Sequence, residues 1–289
     1  MRFGIHSNET RDIDYRTALD LSRYLVDNGA VPVFDVKMKD TVVASVDGVQ
    51  FSDFDDVDII VSIGGDGTFL SVISKYRSLN KPFVGINKGS IGFLTEVSSV
   101  DMEDAFSRII RGEYTTIERM QLKAELFDKE GKLKCSDICL NDVSVLRGDK
   151  PHITRLTLFV DGERVEKFYG DGIVVAAPTG STAYTLAAGG PLVMPHMEVI
   201  LVTPLCPHTL QNMSYVLSPD SVVEVYLGTF ETVPIICPDG REFPNIEQDD
   251  VLRISRYDHS ISTISLNLRG FFQNVKRKIV ARGSFYENG

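Results

Sequence analysis

The sequence predicts an α/β N-terminal domain with a parallel sheet, followed by a β-rich C-terminal domain. Three observations predict it. Up to Gly112, apolar runs alternate with amphipathic helical segments, the pattern of strands joined by helical crossovers. From about residue 115 to 265 helical periodicity is scarce, and short apolar runs are separated by turn dipeptides. Between the apolar run Val57–Ile63 and the helical pattern Phe69–Ile73 stands Gly64-Gly65-Asp66-Gly67-Thr68, a strand, glycine loop and helix in succession. The expected division is 1–114 for the first domain and 115–268 for the second. A helical tail, 269–289, is expected to return to the first domain.

The elements follow in order. Arg2–His6 reads as a first strand. Tyr15–Asn28 carries Ala18, Leu21 and Leu25 on one helical face, and Gly29 can close that helix. Val31–Phe34, Val57–Ile63 and Pro82–Ile86 are further strands. Met102, Ala105, Phe106 and Ile109 mark an amphipathic helix ended by Gly112. In the second region Asp161-Gly162 separates two strand-like runs, a strong hairpin signal, and Asp239-Gly240 is another turn. Ser181–Ala188 is the helical exception there. Phe271–Ala281 turns helical again, with Phe272, Val275 and Ile279 apolar. Its basic run Lys276-Arg277-Lys278 reads as a solvated helix face.

Composition narrows the function classes. The chain has 289 residues, 43% of them hydrophobic, enough for two globular domains. A net charge of -10 argues against nucleic acid or an anionic membrane as partner. No segment is long and apolar enough to span a bilayer, and the N-terminus lacks the apolar centre of a signal peptide. The four cysteines, Cys135, Cys139, Cys206 and Cys237, lack zinc-site spacing and are expected as free thiols in a cytoplasmic protein.

The first glycine loop carries the chemistry. Gly64, Gly65 and Gly67 let backbone N–H groups approach a ligand with no Cβ in the way, and the following helix N-terminus favours negative charge. Together with Thr68 this forms a phosphate cradle. It has neither the lysine of a Walker loop nor the spacing of a dinucleotide fingerprint. Asp66 would repel phosphate unless it orients a hydroxyl or helps hold a metal, which points to phosphoryl transfer. A solvated acidic turn is the plainer alternative. Lys88 reads equally as a phosphate contact or a solvated side chain.

A second corner repeats the grammar. Gly170-Asp171-Gly172 leads through an apolar run to Pro178-Thr179-Gly180-Ser181-Thr182-Ala183-Tyr184 and then Gly189-Gly190-Pro191. Its hydroxyls suit helix capping or a ligand. With Gly64–Thr68, Leu140-Asn141-Asp142-Val143 and Cys206-Pro207-His208-Thr209-Leu210, this ordered set resembles the NAD kinase family. The motifs run from Gly64 to Leu210. The first loop is shared with lipid kinases and phosphofructokinases; the Pro-Thr-Gly-Ser-Thr-Ala-Tyr block is far more specific.

The resemblance implies phosphorylation of the 2′-hydroxyl of the adenosine ribose of NAD by ATP, giving NADP, at a site between the α/β and β-rich domains. It implies Asp66 as the catalytic carboxylate with Gly67 beside the substrate. Asn141 and Asp142 would bind the adenosine part, and His152 would line the dinucleotide. Asp171 would meet the nicotinamide end, and Thr182, Ala183, Tyr184, Thr185, Leu186 and Ala187 would wrap adenine and ribose. A homodimer or homotetramer is implied as well. With no lysine in either loop, backbone N–H groups hold the phosphates, and a divalent ion, Mg²⁺, arrives with the donor.

Two positions depart from the family: Asp142 stands where glutamate is usual, and Tyr169 where a basic residue often stands. His208 reads as a structural imidazole and Asp239 as a turn residue. Because Asn141 and Asp142 are adjacent, both can face one ligand only where the strand ends or bulges. The competing functions are a diacylglycerol-type lipid kinase and a non-catalytic dinucleotide-binding regulator. Polyphosphate as donor stays open.

Overall fold

In the computed structural model the described residues are 1–89, 92–150, 152–208, 213–267 and 270–276. The chain divides into two units, Met1–Glu118 with Ile261–Gly289, and Arg119–Ser260. The sequence division at 114/115 and 268/269 differs because two short strands, Thr115–Arg119 and Ile261–Ser265, join the first unit's sheet.

In the first unit β1 (Arg2–Ser7) leads to α1 (Arg16–Asp27), β2 (Val31–Phe34) and β3 (Gln50–Phe51). Then come β4 (Ile59–Gly64), α2 (Asp66–Tyr76), β5 (Phe83–Asn87), β6 (Val97–Ser98), α3 (Met102–Ile110) and β7 (Thr115–Arg119). The sheet order is β3-β2-β1-β4-β5, continued by Ile261–Ser265 and β7, with β6 also paired to β5. The pairings from β3 through to Ile261–Ser265 are parallel. Every residue of β4 and β5 is buried, as befits parallel strands covered on both faces.

Side-chain alternation assigns the faces. Phe3, Ile5, Ile59, Val61 and Ile63 share a core with Ala18, Leu21 and Leu25 of α1 and Ala105, Phe106 and Ile109 of α3. On the other face Phe69 of α2 meets Phe83 edge-on, with ring centroids 6.5 Å apart. Helix α1 closes at Gly29, whose φ of +71° is open to glycine, while the Ala30 N–H donates to the Leu25 carbonyl at 2.8 Å. Strand β1 lies between β2 and β4, so the chain reverses its direction of travel across the sheet there. Ligands bind beyond the carboxyl ends of strands at such a switch point.

The second unit is antiparallel. It contains β8 (Leu122–Phe127), β9 (Leu133–Cys139), β10 (Asp142–Leu146), β11 (Thr154–Val160), β12 (Glu163–Gly170) and β13 (Gly172–Ala176). After α4 (Tyr184–Ala187) come β14 (Ile200–Leu205), β15 (Tyr215–Leu217), β16 (Val223–Tyr226), β17 (Ile235–Pro238) and β18 (Val251–Arg256). One sheet has the order β15-β14-β13-β10-β17, the other β12-β11-β16-β18-β8-β9. Alternate residues of both sheets, among them Leu122, Ala124, Val143, Val145, Ile173, Val175, Val223 and Leu252, share one core. Strands β13 and β14 are buried on both faces, since Val174, Ala176 and Leu201 pack with Val193 on the other side. Asp161 and Gly162 join β11 to β12 with φ of +53° and +80°, the geometry of a tight hairpin turn.

The tail reading is only partly accessible. Residues 271–276 are helical and Val275 is buried. The remainder of the expected helix, 277–281, and the rest of the tail lie outside the described residues.

Gly85, in β5, lies close against Phe69 of α2 and against Thr95. A Cβ there would lie 2.6 Å from Thr95 Cγ2 and 2.9 Å from Phe69 Cδ2. Gly85→Ala is expected to cost about 1–3 kcal/mol of stability through overpacking. Urea unfolding checks this; an unchanged midpoint would contradict the packing described.

Candidate active site

The glycine loop sits where β4 passes into α2, at the carboxyl end of the sheet beside the switch point. Its three glycines have different reasons to be glycine. A Cβ on Gly64 would lie 2.4 Å from Thr68 Oγ1, so the fold itself requires glycine there. A Cβ on Gly65 or Gly67 would meet nothing within 4 Å, and neither has a positive φ. Packing and backbone geometry do not demand glycine at these two positions. Bare backbone at a helix N-terminus suits the approach of a phosphate. Thr68 is used internally: Asn8, just beyond β1, donates its amide to Thr68 Oγ1 at 3.1 Å and ties the two strand ends together.

Asp66, the first residue of α2, is half-buried. Its carboxylate accepts the Phe93 N–H at 2.8 Å on Oδ2. On Oδ1 it accepts the Leu94 N–H at 3.1 Å, the Thr95 N–H at 3.3 Å and the Thr95 hydroxyl at 3.2 Å. It is therefore an anchored group rather than a solvated turn residue. Beside it Lys88 pairs with buried Asp12 at 3.3 Å and also bonds the Thr17 hydroxyl. Asp12 further accepts the Thr17 and Ala18 N–H groups at the start of α1. Burial opposes ionisation of Asp12, but these bonds and the Lys88 charge hold its carboxyl below the usual range. Lys88 is thus committed to the fold.

The second corner lies in the β-rich unit. Strand β9 ends at Cys139 and β10 begins at Asp142, so Leu140 and Asn141 form a break between the two sheets. Asp239, at the turn after β17, holds that break. Its carboxylate accepts the N–H groups of Leu140 at 2.8 Å, Asn141 at 2.9 Å and Asp142 at 3.2 Å. Its own N–H donates to the Asp142 carbonyl at 2.9 Å. Asp239 is indeed a turn residue, with φ of +45° and the Arg241 N–H donating to the Pro238 carbonyl. Sequence reading missed its anchoring role, because its partners are 97–99 residues away in the chain.

The Pro-Thr-Gly-Ser-Thr segment docks beneath the same break. The Ala177 N–H donates to the Asn141 carbonyl at 2.8 Å, and a Cβ on Gly180 would lie 2.2 Å from that oxygen. The hydroxyls serve the segment itself. Ser181 Oγ bridges the Val193 backbone, Thr182 donates to the Thr179 carbonyl, and Arg119 reaches Thr179 Oγ1 at 3.4 Å. Thr182 and Thr185 are buried, whereas Ala183, Tyr184, Leu186 and Ala187 have exposed surface.

The remaining residues form separate contacts. Asp171 pairs with Arg147 at 3.3 Å. Burial raises the Tyr184 hydroxyl's pKa, with Cys206, Asp171 and Asp142 adding to the effect, so these four groups share one electrostatic neighbourhood. His152 is exposed and faces Thr232 Oγ1 at 3.2 Å and Glu231 at 3.6 Å, lining a cavity of about 430 Å³ with Arg155 and Phe230. Tyr169 lies under Lys167, 5.6 Å from its ammonium to the ring centre. The His208 N–H donates to the Tyr169 carbonyl; Thr209 and Leu210, the end of that motif, lie outside the described residues.

Residues 3–114 match the family model of the ATP-NAD kinase N-terminal domain, and residues 140–266 that of the ATP-NAD kinase C-terminal domain. The NAD kinase of Ruminiclostridium cellulolyticum is 33% identical over 282 residues, covering 97% of this chain and 98% of that protein. The NAD kinase of Acetivibrio thermocellus is 33% identical over 292 residues, covering 98% of each. The chain belongs to the NAD kinase family.

Solved structures show the NAD kinase fold. That of yeast NADH kinase complexed with NADH matches with a TM-score of 0.85 at 22% identity, over 96% of this chain and 86% of that one. That of an Archaeoglobus fulgidus NAD kinase in complex with ATP matches with a TM-score of 0.72 at 24% identity, over 96% and 98%. The expected fold class, a parallel α/β domain with an antiparallel β-rich domain, is the one observed.

Asp142 gives this NAD kinase family member a pH signature. It is only 8% exposed, and burial, then the nearby Asp239 charge, raises its carboxyl to about 7. A group whose pKa is raised by folding holds its proton more tightly when folded. Its stabilising contribution is present in acid and is lost as pH rises through about 7. Asp142→Asn is therefore expected to flatten the stability profile between about pH 4 and 7, and to unfold later than the parent at pH 8 by on the order of 1–2 kcal/mol. Denaturant titrations at several pH values decide it; parallel profiles would contradict this reading.

Proposed function

We propose that this protein transfers the terminal phosphoryl group of ATP to the 2′-hydroxyl of the adenosine ribose of NAD, giving NADP. The observation that carries the reading is the loop corner at the switch point. Two glycines that packing does not require flank an anchored carboxylate at a helix N-terminus, in a chain of the NAD kinase family. The comparisons give no support to a lipid kinase or a non-catalytic regulator.

In this reading the backbone N–H groups around Gly65, Gly67 and Thr68 hold the donor's phosphates. The ribose oxygen attacks the terminal phosphorus, its proton passes to Asp66, and the bond to the bridging oxygen breaks to release ADP. A divalent ion, Mg²⁺, bound to the donor would neutralise phosphate charge. Among the described residues no group of three or more His, Cys, Asp or Glu is placed to hold a metal. Lys88 is tied to Asp12 and adds no free charge to the cradle.

For the acceptor we place adenosine at Asn141 and Asp142, with Ala183, Tyr184, Leu186 and Ala187 offering surface to adenine and ribose. Thr182 and Thr185 contribute through backbone, since their side chains face inward. With a carboxyl near 7, Asp142 can donate as well as accept a hydrogen bond at neutral pH, which suits a ribose hydroxyl. Once ionised it repels a 2′-phosphate and favours release of product. Asp171, beside Arg147, and His152 take the nicotinamide half. Four free thiols fit a reducing cytoplasm, and self-association as a homodimer or homotetramer belongs to the same reading.

A coupled assay with NAD and ATP tests the activity, with NADH and polyphosphate as alternative acceptor and donor. Asp66→Asn is expected to lower kcat by about 10²-fold or more while NAD binding persists. Near-normal kcat would remove Asp66 from the chemistry. Asn141→Ala is expected to raise KM for NAD by about tenfold or more, with KM for ATP little changed. A selective loss of ATP affinity would reverse the assignment of the two corners.

A further inference from the structure

We infer that Thr95 is a positioning residue, whose hydroxyl orients the Asp66 carboxylate for proton transfer. The inference rests on the reading of Asp66 as the group that receives the ribose proton. Thr95 is fully buried and lies where no sequence motif drew attention.

A chain of hydrogen bonds gives its hydroxyl a direction. The Gly89 N–H donates to Asn87 Oδ1 at 2.6 Å, which sets the Asn87 amide so that its nitrogen faces Thr95. Asn87 Nδ2 then donates to Thr95 Oγ1 at 2.8 Å. With that oxygen accepting from Asn87, its proton points to Asp66 Oδ1, 3.2 Å away. The Thr95 N–H reaches the same oxygen. Asn87 is itself only 4% exposed, so water does not compete for this chain.

Two packing contacts hold Thr95 in that pose. Its methyl lies against bare Gly85, where a Cβ would come within 2.6 Å of Thr95 Cγ2. On the other side, a Cβ on Gly92 would overlap Asp66 Oδ1 and come within 2.2 Å of Thr95 Oγ1. The turn can reach the carboxylate only because residue 92 is glycine. A threonine, branched at Cβ, has its rotamer set by the methyl and so delivers its hydroxyl to one place. A carboxylate held this way pays no reorganisation when the ribose hydroxyl arrives.

The test uses the full chain with NAD and ATP. Thr95→Val keeps the shape and removes the hydroxyl; Thr95→Ser keeps the hydroxyl and removes the methyl. Thr95→Val is expected to lower kcat by about tenfold, with KM for NAD and ATP within about twofold of the parent. Thr95→Ser is expected to restore kcat to within about threefold. Parent-like kcat in Thr95→Val, or a Thr95→Ser variant no better than Thr95→Val, overturns the inference. If Thr95→Val fails to fold, Thr95→Ala takes its place: about a tenfold loss of kcat with KM unchanged supports the inference, and parent-like kcat overturns it. Asp66→Asn, run alongside, separates the two levels: parent-like kcat there means that the reading of Asp66 fails, whatever Thr95 does.

Discussion

A buried or half-buried carboxylate that collects neighbouring backbone N–H groups is the interaction on which both corners depend. Asp12 takes those of Thr17 and Ala18, Asp66 those of Phe93, Leu94 and Thr95, and Asp239 those of Leu140, Asn141 and Asp142. At a helix start, a loop or a strand break these N–H groups would otherwise be unsatisfied, and one carboxylate satisfies several at once. Irregular backbone can then persist where a ligand needs it. The arrangement also places negative charge next to loops that are to meet phosphate. At Asp12 the bonds and the Lys88 charge outweigh burial and hold the carboxyl below its usual range, whereas at Asp239 burial outweighs its N–H bonds and pushes the carboxyl up.

The glycines divide along the same line. Gly64, Gly85, Gly92 and Gly180 are bare because another group of the fold occupies the space of a Cβ. Gly65 and Gly67 are bare with that space open. The first set builds the corners, and the second leaves backbone exposed at a helix N-terminus. A motif that reads as uniformly glycine-rich therefore mixes two physical requirements.

Much of the fold was legible in the sequence because it rests on local periodicity. The helical faces Ala18-Leu21-Leu25 and Ala105-Phe106-Ile109, the fully apolar central strands, the Gly29 and Gly112 helix ends and the Asp161-Gly162 hairpin all follow from spacing within a few residues. That strands 115–119 and 261–265 join the first unit's sheet was not legible, since pairing across nearly 150 residues leaves no mark on local pattern. The two glycine corners were legible as strand-to-helix turns.

The sequence by itself determined the family, the two kinds of sheet and the residue types at each corner, because motif order and periodicity are properties of the chain read in one dimension. The tertiary structure alone decided which groups are spoken for. It showed that Lys88 belongs to Asp12, that Thr182 and Thr185 face inward, that Asp239 holds the Asn141–Asp142 break, and that Asn87 directs the Thr95 hydroxyl to Asp66. It also set the Asp142 carboxyl near neutrality, since burial and a second carboxylate from the turn after β17 act through space. Hydrogen bonds and desolvation depend on three-dimensional proximity, and residues up to 99 positions apart meet only after the sheets have formed.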